Sequence, residues 1–386
     1  MKVLVLAEYY PREHDPVLGV WAHRQALAAR EAGAELRVLV LYRPLPPLRA
    51  LRALDLDAAR RMLSQPRTME LDGLRVDYLR FLSPPRPWSY GHWGAWAAPA
   101  LRRGLARIRA EFSFDLIHAH YAVPAGDAVR RAAPRTPLVV SVHGGDVLGA
   151  HAGGRAVRDT LAHARLVLAN SAGTSRRCAA LGAGAVRVVH LGADLPDRAP
   201  VRPSRPTLVS VGNLIERKRH ADVIAALPAL RDRHPELRYV IAGDGPEREP
   251  LRELAQRLGV ADRVELHGRL GHEQAVATAQ GGSLFVLPSV SEAFGVSYVE
   301  AMAGGVPAVG CRGEDGPEEI AAAGGGIELV APRDPSGLAT TLDALLSDPA
   351  RLQALGREAQ LTVQRSFTWE QCGRETVTAY RDVLRS

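Results

Sequence analysis

Short apolar runs recur along the chain, each followed by a stretch of helical periodicity. This alternation limits the fold more than any other feature. Strands that are apolar at every position are buried on both faces, and helices between them make the crossovers of parallel sheets. The first series reads Val3–Ala7, Leu36–Leu41, Leu74–Phe81, Asp115–Ala119, Leu138–His143, Leu166–Asn170 and Val186–His190. The second reads Thr207–Gly212, Arg238–Ala242, Val264–Gly268, Leu284–Pro288, Val306–Gly310 and Gly326–Val330. Between them, Asp194 to Pro206 carries Pro196, Pro200, Pro203 and Pro206 and few apolar residues, the composition of a linker. The expected class is α/β, with two doubly wound, Rossmann-like domains. Their bounds are 1–195 and 207–367, with a linker at 196–206 and a closing helix at 368–386. At 386 residues the chain is long enough for two cores. Open α/β sheets bind ligands beyond the carboxyl ends of their strands, so two such domains facing each other would hold a ligand in a central cleft.

Composition excludes some classes and leaves others. No apolar run approaches the ~20 residues of a membrane span, and Met1–Glu8 reads as a first strand rather than a signal peptide. Cys178, Cys311 and Cys372 are scattered without metal or disulfide spacing, which suits a reducing cytoplasm and passive packing. A net charge of +7 favours anionic partners without choosing among them. The loop from Glu8 through Gly19 to the helix at Val20 lacks Gly-x-Gly-x-x-Gly, which argues against a nicotinamide oxidoreductase. Aromatic-basic motifs of an RNA-binding sheet and helix-turn-helix cues are missing, so nucleic acid is not an expected partner.

The stretch Ser291 to Pro307 carries the chemistry. Glu292 precedes a Phe294-Gly295 turn, a helix opens near Val296, Glu300 lies inside it, and Gly304-Gly305-Val306-Pro307 ends it. The free N–H groups of such a helix start attract an anion. Carboxylates on either side can accept hydrogen bonds from sugar hydroxyls. A diphosphate flanked by hydroxyl-bearing rings fits, and a nucleotide sugar is such a ligand. By itself the pair also fits a helix with favourable acidic residues at its start.

With Phe285–Ser289 as a buried strand upstream, the order strand, loop, Glu, Phe-Gly, helix, Glu, Gly-x-Pro resembles the retaining nucleotide-sugar glycosyltransferases of family 4, which have the GT-B fold. The resemblance covers nearly the whole chain. It implies a cytoplasmic enzyme that moves a sugar from a UDP- or GDP-sugar to an acceptor hydroxyl, in polysaccharide or glycoconjugate synthesis. It implies no cofactor and no metal ligands, since protein cations would neutralise the diphosphate. The last helix would cross back to the N-terminal domain. A nucleotide-sugar epimerase of the same fold is the competing enzyme reading, and a basic nucleic-acid-binding protein the competing non-enzyme.

The same resemblance places the site residues. Gly212 would let backbone approach the ligand, and Lys218 with Arg217 would meet the diphosphate. Relatives often carry Arg where this chain has Asn213, so Arg217 becomes the compensating cation. Gly243, in Ala242-Gly243-Asp244-Gly245-Pro246, would border the nucleotide pocket. Arg269 and Leu270 would lie by the base. Glu292, with backbone near Phe294 and Gly295, would hold the donor sugar, and Val296 would open the phosphate-facing helix. Glu300 would hold the ribose hydroxyls. From the N-terminal domain, His143 would support the reacting sugar, and Gly19 would lie near phosphate and acceptor. The catalytic set is therefore His143, Lys218 and Glu292. His118 and His120 alternate on one strand and face one side; no third zinc ligand is apparent, which leaves acceptor-cleft lining or a structural role. Glu314 and Asp315 receive no catalytic role.

Two basic segments stand outside the motifs. Arg86 to Trp96 holds Trp88, Trp93 and Trp96, and Arg102, Arg103, Arg107 and Arg109 follow. Trp beside Arg suits a membrane interface, so stretch 86–109 is a candidate for peripheral contact with an anionic inner membrane face, and a lipid-linked acceptor is one option. Packing of an acceptor-domain helix is the simpler explanation of the same residues. Arg43 to Arg67 is a second candidate for the acceptor site.

Overall fold

In Lys2–Ala7, the first strand (β1), Leu4 and Leu6 enter one apolar core while Val5 and Ala7 enter another. Side chains alternate across a strand, so an unbroken apolar run is stable only where both faces are covered. The computed structural model describes residues 1–46, 55–149 and 152–385. It divides into two units, one made of Met1–Leu191 with the residues from Trp369 onward, the other of Gly192–Thr368.

The first unit contains β1, β2 (Glu35–Tyr42), β3 (Thr68–Leu71), β4 (Leu74–Arg80), β5 (Leu116–His120), β6 (Leu138–Val142), β7 (Leu166–Ala169) and β8 (Val186–Val188). Among the described residues these form an eight-stranded sheet in the order β3-β4-β2-β1-β5-β6-β7-β8. β1 pairs in parallel with β2 (Val3 opposite Leu36) and with β5 (Val3 opposite Leu116). β3 is antiparallel to β4 and was not foreseen from the sequence. Its residues are only partly buried, and Asp72 (φ 49°) and Gly73 (φ 72°) make the two-residue turn between the strands.

The second unit contains β9 (Thr207–Val211), β10 (Arg238–Ala242), β11 (Val264–Gly268), β12 (Leu284–Val286), β13 (Ala308–Cys311) and β14 (Ile327–Val330), in the order β11-β10-β9-β12-β13-β14. All its strand pairs are parallel. β13 starts at Ala308 rather than at the expected Val306. Val306 spends its N–H on Ala301 of the preceding helix (3.3 Å), and Pro307 has none to give.

The units divide after Leu191, ahead of the expected boundary at 195. The expected linker, 196–206, is fastened to the second unit. Arg202 donates to the carbonyls of Gly304 (2.7 Å), Gly305 (2.8 Å) and Gln280 (3.2 Å). The closing helix runs Trp369–Arg385 and belongs to the first unit. Gly373 lets it approach the helix Val20–Glu31 so closely that a Cβ there would lie 2.2 Å from the Ala28 carbonyl oxygen. Gln25 donates to Thr376 (3.1 Å) across this packing, and Arg187 of β8 donates to Asp382 of the closing helix (2.7 Å). The cysteines are buried and unpaired, and burial pushes each thiol up to about 12. No helix among the described residues is long and apolar enough to cross a membrane.

Candidate functional site

In the second sheet β9 lies between β10 and β12, so successive connections leave it in opposite directions. The carboxyl ends of β9 and β12 are therefore the sheet's switch point, where open α/β sheets bind ligands. The loop after β9 closes in a short 3-10 turn, Glu216–Lys218, and Arg219 follows at φ 56°. Val290, in the loop after β12, donates its N–H to the Arg217 carbonyl (2.8 Å) and ties the loops together.

Three sequence candidates converge there. The Glu292 carboxylate oxygen Oε2 lies 2.5 Å from Lys218 Nζ, 3.5 Å from Arg217 Nη1 and 3.0 Å from Ser289 Oγ, which donates to it. Lys218 and Glu292 are both buried, and Arg217 is exposed. Burial pushes the Glu292 carboxyl up, but Lys218 and then Arg217 outweigh it and hold the group below the ordinary carboxylate value. Glu292, assigned to a sugar, and Lys218, assigned to a diphosphate, are thus direct partners. An ammonium has three donors, so Lys218 has capacity beyond this pair.

Beyond Glu292 the chain turns at Gly295 (φ 85°) into the helix Val296–Ala303. A Cβ at Gly295 would lie 2.5 Å from the Tyr298 ring. No side chain caps this helix start. Its first N–H groups and its dipole present positive potential at the switch point. Phe294 is a core residue, its ring centroid 5.6 Å from that of Phe367, so its side chain is turned into the core. Glu300 is half-buried on the same helix, its carboxylate 3.9 Å from His272 Nδ1.

Gly212, Gly243 and Gly268 line the ends of β9, β10 and β11. Gly212 donates to Ala242 (3.0 Å) and Gly243 to Gly268 (2.8 Å). A Cβ on Gly243 would fall 1.8 Å from the Gly212 carbonyl oxygen, so only glycine permits this approach. A Cβ on Gly212 would be 3.7 Å from Lys218 Cε, which puts Gly212 beside the ammonium stem. Arg269 is exposed and Leu270 partly so, in the loop that Gly268 begins. Asn213 is exposed beside Gly212.

The remaining candidates, Gly19 and His143, belong to the first unit. Gly19 (φ 67°) packs against backbone, where a Cβ would lie 2.2 Å from the Tyr9 carbonyl carbon. His143 follows β6 and is buried. Its Nε2 is 3.2 Å from His120 Nδ1 with the rings nearly parallel, and Tyr121 lies 4.8 Å away between ring centroids. Burial pushes His143 down to about 4 and His118 to about 3, so both are neutral near pH 7. His118 is bonded to Tyr380 (2.7 Å) and Ser141 (2.8 Å), a structural role. Among the described residues no group of three His, Cys, Asp or Glu is arranged to hold a metal ion. In the tryptophan stretch, Trp93 is buried beneath Arg43 and Arg86, whereas Trp88 and Trp96 are exposed. The basic stretch Arg43 to Arg67 includes residues 47–54, which lie outside the described residues.

Two family models match almost end to end. "Glycosyltransferase Family 4" matches residues 18–196, and "Glycosyl transferases group 1" matches residues 194–362. The chain belongs to glycosyltransferase family 4. Its match to glycogen synthase of Mycobacterium tuberculosis is 33% identical over 204 residues, 52% of this chain and 49% of the relative. The chain thus spans about half the length of the curated relatives it matches. Among solved structures, sucrose-phosphate synthase of Thermosynechococcus elongatus superposes with a TM-score of 0.79 at 20% identity, covering 100% of both chains. Anabaena HepE in complex with UDP and glucose superposes at 0.73 and 20% identity, covering 99% of this chain and 100% of that one. These likenesses show the GT-B fold of the family.

Several residues that hold these candidates in place were not singled out in the sequence. Glu314, given no role, accepts the Glu292 N–H (2.8 Å) on its carboxylate, and Gly316 donates to the Glu292 carbonyl (3.2 Å). Ser289 completes the contacts of the Glu292 carboxylate. Asp146 accepts the N–H groups of Ala122 (3.0 Å) and His143 (3.3 Å), joining the loops after β5 and β6. No short-range pattern links positions 292 and 314; the Gly-Gly-Asp run after His143 was the one visible hint of Asp146.

Proposed function

We propose that this protein transfers a glycosyl group from a nucleotide-diphosphate sugar, a UDP- or GDP-sugar, to an acceptor hydroxyl with retention of configuration. The observation that carries the proposal is the meeting of Lys218, Arg217 and Glu292 with an uncapped helix start at the switch point of the second sheet. Family membership supports the donor class, and HepE was solved with UDP.

In this reading the diphosphate lies against the N–H groups at Val296 and Ser297, with Lys218 and Arg217 on its other side. As the sugar–phosphate bond breaks, negative charge grows on the diphosphate. Fixed cations and N–H dipoles there lower the barrier because they interact more strongly with the transition state than with the donor. Glu292 anchors Lys218 and offers its second oxygen to sugar hydroxyls, and Glu300 receives the ribose. Gly212 and Gly243 admit backbone to the nucleotide, with Arg269 and Leu270 at the base. The departing phosphate takes the acceptor proton. The protein's own cations meet the phosphate charge, so the reading calls on no metal or cofactor.

Release of nucleoside diphosphate from UDP- and GDP-sugars, with and without saccharide acceptors, tests the proposal. One donor class should turn over, and Lys218→Ala should lower kcat by ~100-fold or more, the range for losing one preorganised charge-stabilising group. Near-normal turnover in that variant, or epimerisation of the donor without release of the diphosphate, would contradict it.

A further inference from the structure

The first sheet has its own switch point, between β1 and β5, where the order reverses. Tyr9 follows β1 and Tyr121 follows β5, and their ring centroids are 5.2 Å apart. With Arg86, Tyr90 and Asp146 they line a cavity of about 170 Å³. Arg86 is held by Glu8 (3.0 Å) and lies over the Tyr90 ring at 3.8 Å. Flat aromatic faces with a few fixed polar groups suit a sugar ring. Val123 and Val157 line this cavity and also a larger one of about 700 Å³ beside it.

The larger cavity is basic by construction. Arg130, Arg131 and Arg155 line it, opposed by the carboxylates of Asp127 and Asp159. Asp127 is fully buried and brackets two guanidinium groups, Arg130 Nη2 at 2.7 Å and Arg131 Nε at 2.9 Å. It is fixed from behind, since a Cβ on Gly94 would lie 2.4 Å from its Oδ2. Arg130 Nε is buried without a hydrogen-bond partner. That N–H is closed off from the cavity, whereas the Nη groups of Arg130 and the guanidinium of Arg131 are partly exposed at its wall. The helix Arg155–His163 starts at the same cavity, with Ala156 and Val157 in its wall and no side-chain cap at Gly154. The Arg130 and Arg131 forks held by Asp127, the Arg155 guanidinium at the rim and an open helix start together describe an oxyanion site.

We propose that this cavity binds the phosphate of a phosphorylated saccharide acceptor whose sugar ring enters the Tyr9–Tyr121 cavity. The inference deepens the transferase reading and rests on it for the word acceptor; the phosphate site itself does not. The phosphate belongs either to a free sugar phosphate or to the headgroup of a lipid-linked saccharide, and both present the same oxyanion to Arg130, Arg131 and Arg155.

Calorimetry with glucose 6-phosphate and flotation with phosphatidylglycerol vesicles separate the two sources. Arg155→Gln and Arg131→Gln are compared with Arg165→Gln, an exposed control away from the cavity. Arg155 is almost wholly exposed, so its variant folds whatever the fate of Arg131→Gln. The expected result is binding of one probe, weakened roughly tenfold or more in both cavity variants and unchanged in the control. Binding of glucose 6-phosphate assigns a free sugar phosphate, and vesicle binding that both variants reduce assigns a lipid headgroup. Binding of neither probe, or equal binding by all variants, overturns the proposal. UDP and GDP titrated into the same samples report the donor site separately. Loss of nucleotide binding in the wild type would sink the transferase reading while the phosphate result stood.

Discussion

Replacing Lys218 by Met removes one charge from a buried pair and leaves Glu292 behind. Lys218 Nζ is 2.5 Å from Glu292 Oε2, and both side chains are about nine-tenths buried. Breaking a buried pair by removing one partner costs ~3–5 kcal/mol, mostly the penalty on the charge left unpaired. Here Arg217 at 3.5 Å and the Ser289 hydroxyl at 3.0 Å stay on the same oxygen. They offset part of that penalty, so we expect a loss of roughly 2–3 kcal/mol at pH 8. Adding Glu292→Gln removes the stranded charge and should restore about 2 kcal/mol of it. The sign with pH follows from the carboxylate. In the wild type Lys218 and Arg217 hold the Glu292 pKa low, so the pair's contribution is present above the ordinary carboxylate pKa and is lost as pH falls through the depressed folded value. In Lys218→Met the folded pKa rises, Glu292 protonates earlier, and the deficit should narrow between pH 8 and pH 5. Urea unfolding of the wild type, both single variants and the double variant at the two pH values measures all of this. A Lys218→Met protein within ~0.5 kcal/mol of wild type at pH 8 would refute the coupled pair, as would a deficit that Glu292→Gln does not relieve.

Gly243→Ala would put a Cβ 1.8 Å from the Gly212 carbonyl oxygen, so the ends of β9 and β10 must separate. Thermal unfolding should show a loss of about 2–3 kcal/mol, and calorimetry a weaker nucleotide affinity; unchanged values would refute the close-approach argument. His118 is pushed down to about 3, whereas an unfolded chain takes up that proton near ~6.5. Stability should therefore fall as pH drops below that value, and His118→Gln should flatten the fall by up to ~1.4 kcal/mol per pH unit. Asp146, which burial pushes up to about 7, runs the opposite way, but it is common to both proteins and cancels in the comparison. Parallel urea-stability profiles from pH 7 to 4 would contradict the buried neutral histidine.

Most of the parallel architecture was legible because most inner strands are apolar runs, as in Val3–Ala7 and Leu284–Val286. β3 was not, since its half-exposed residues carry no such run and only the Asp72-Gly73 turn marks it. The strand after Gly304-Gly305 was placed early because apolarity suggested Val306, whereas donor accounting excludes it. At the site, sequence order brought Glu292, Gly295 and Val296 together on a single turn. Lys218 came from the family resemblance, which places a cation in the loop after β9. The pairing of Lys218 with Glu292 depends on which strands neighbour β9, and sequence periodicity does not encode strand order. Glu314 was hidden for the same reason, because its role lies in a hydrogen bond between loops distant in the chain. The basic cavity was least visible of all. Arg130 and Arg131 look like an ordinary solvated helix end until buried Asp127 is seen to bracket them.

Calorimetric titration of UDP and GDP into the wild type and Glu300→Ala tests the central claim, a nucleotide site at the switch point of the second sheet, most directly. Glu300 is half-buried on the helix that opens at Val296, and in the proposed reading its carboxylate accepts the ribose hydroxyls. The expected result is binding of one nucleotide to the wild type, weakened about tenfold or more in the variant. Failure of both nucleotides to bind the wild type, or equal affinity in the two proteins, would contradict it.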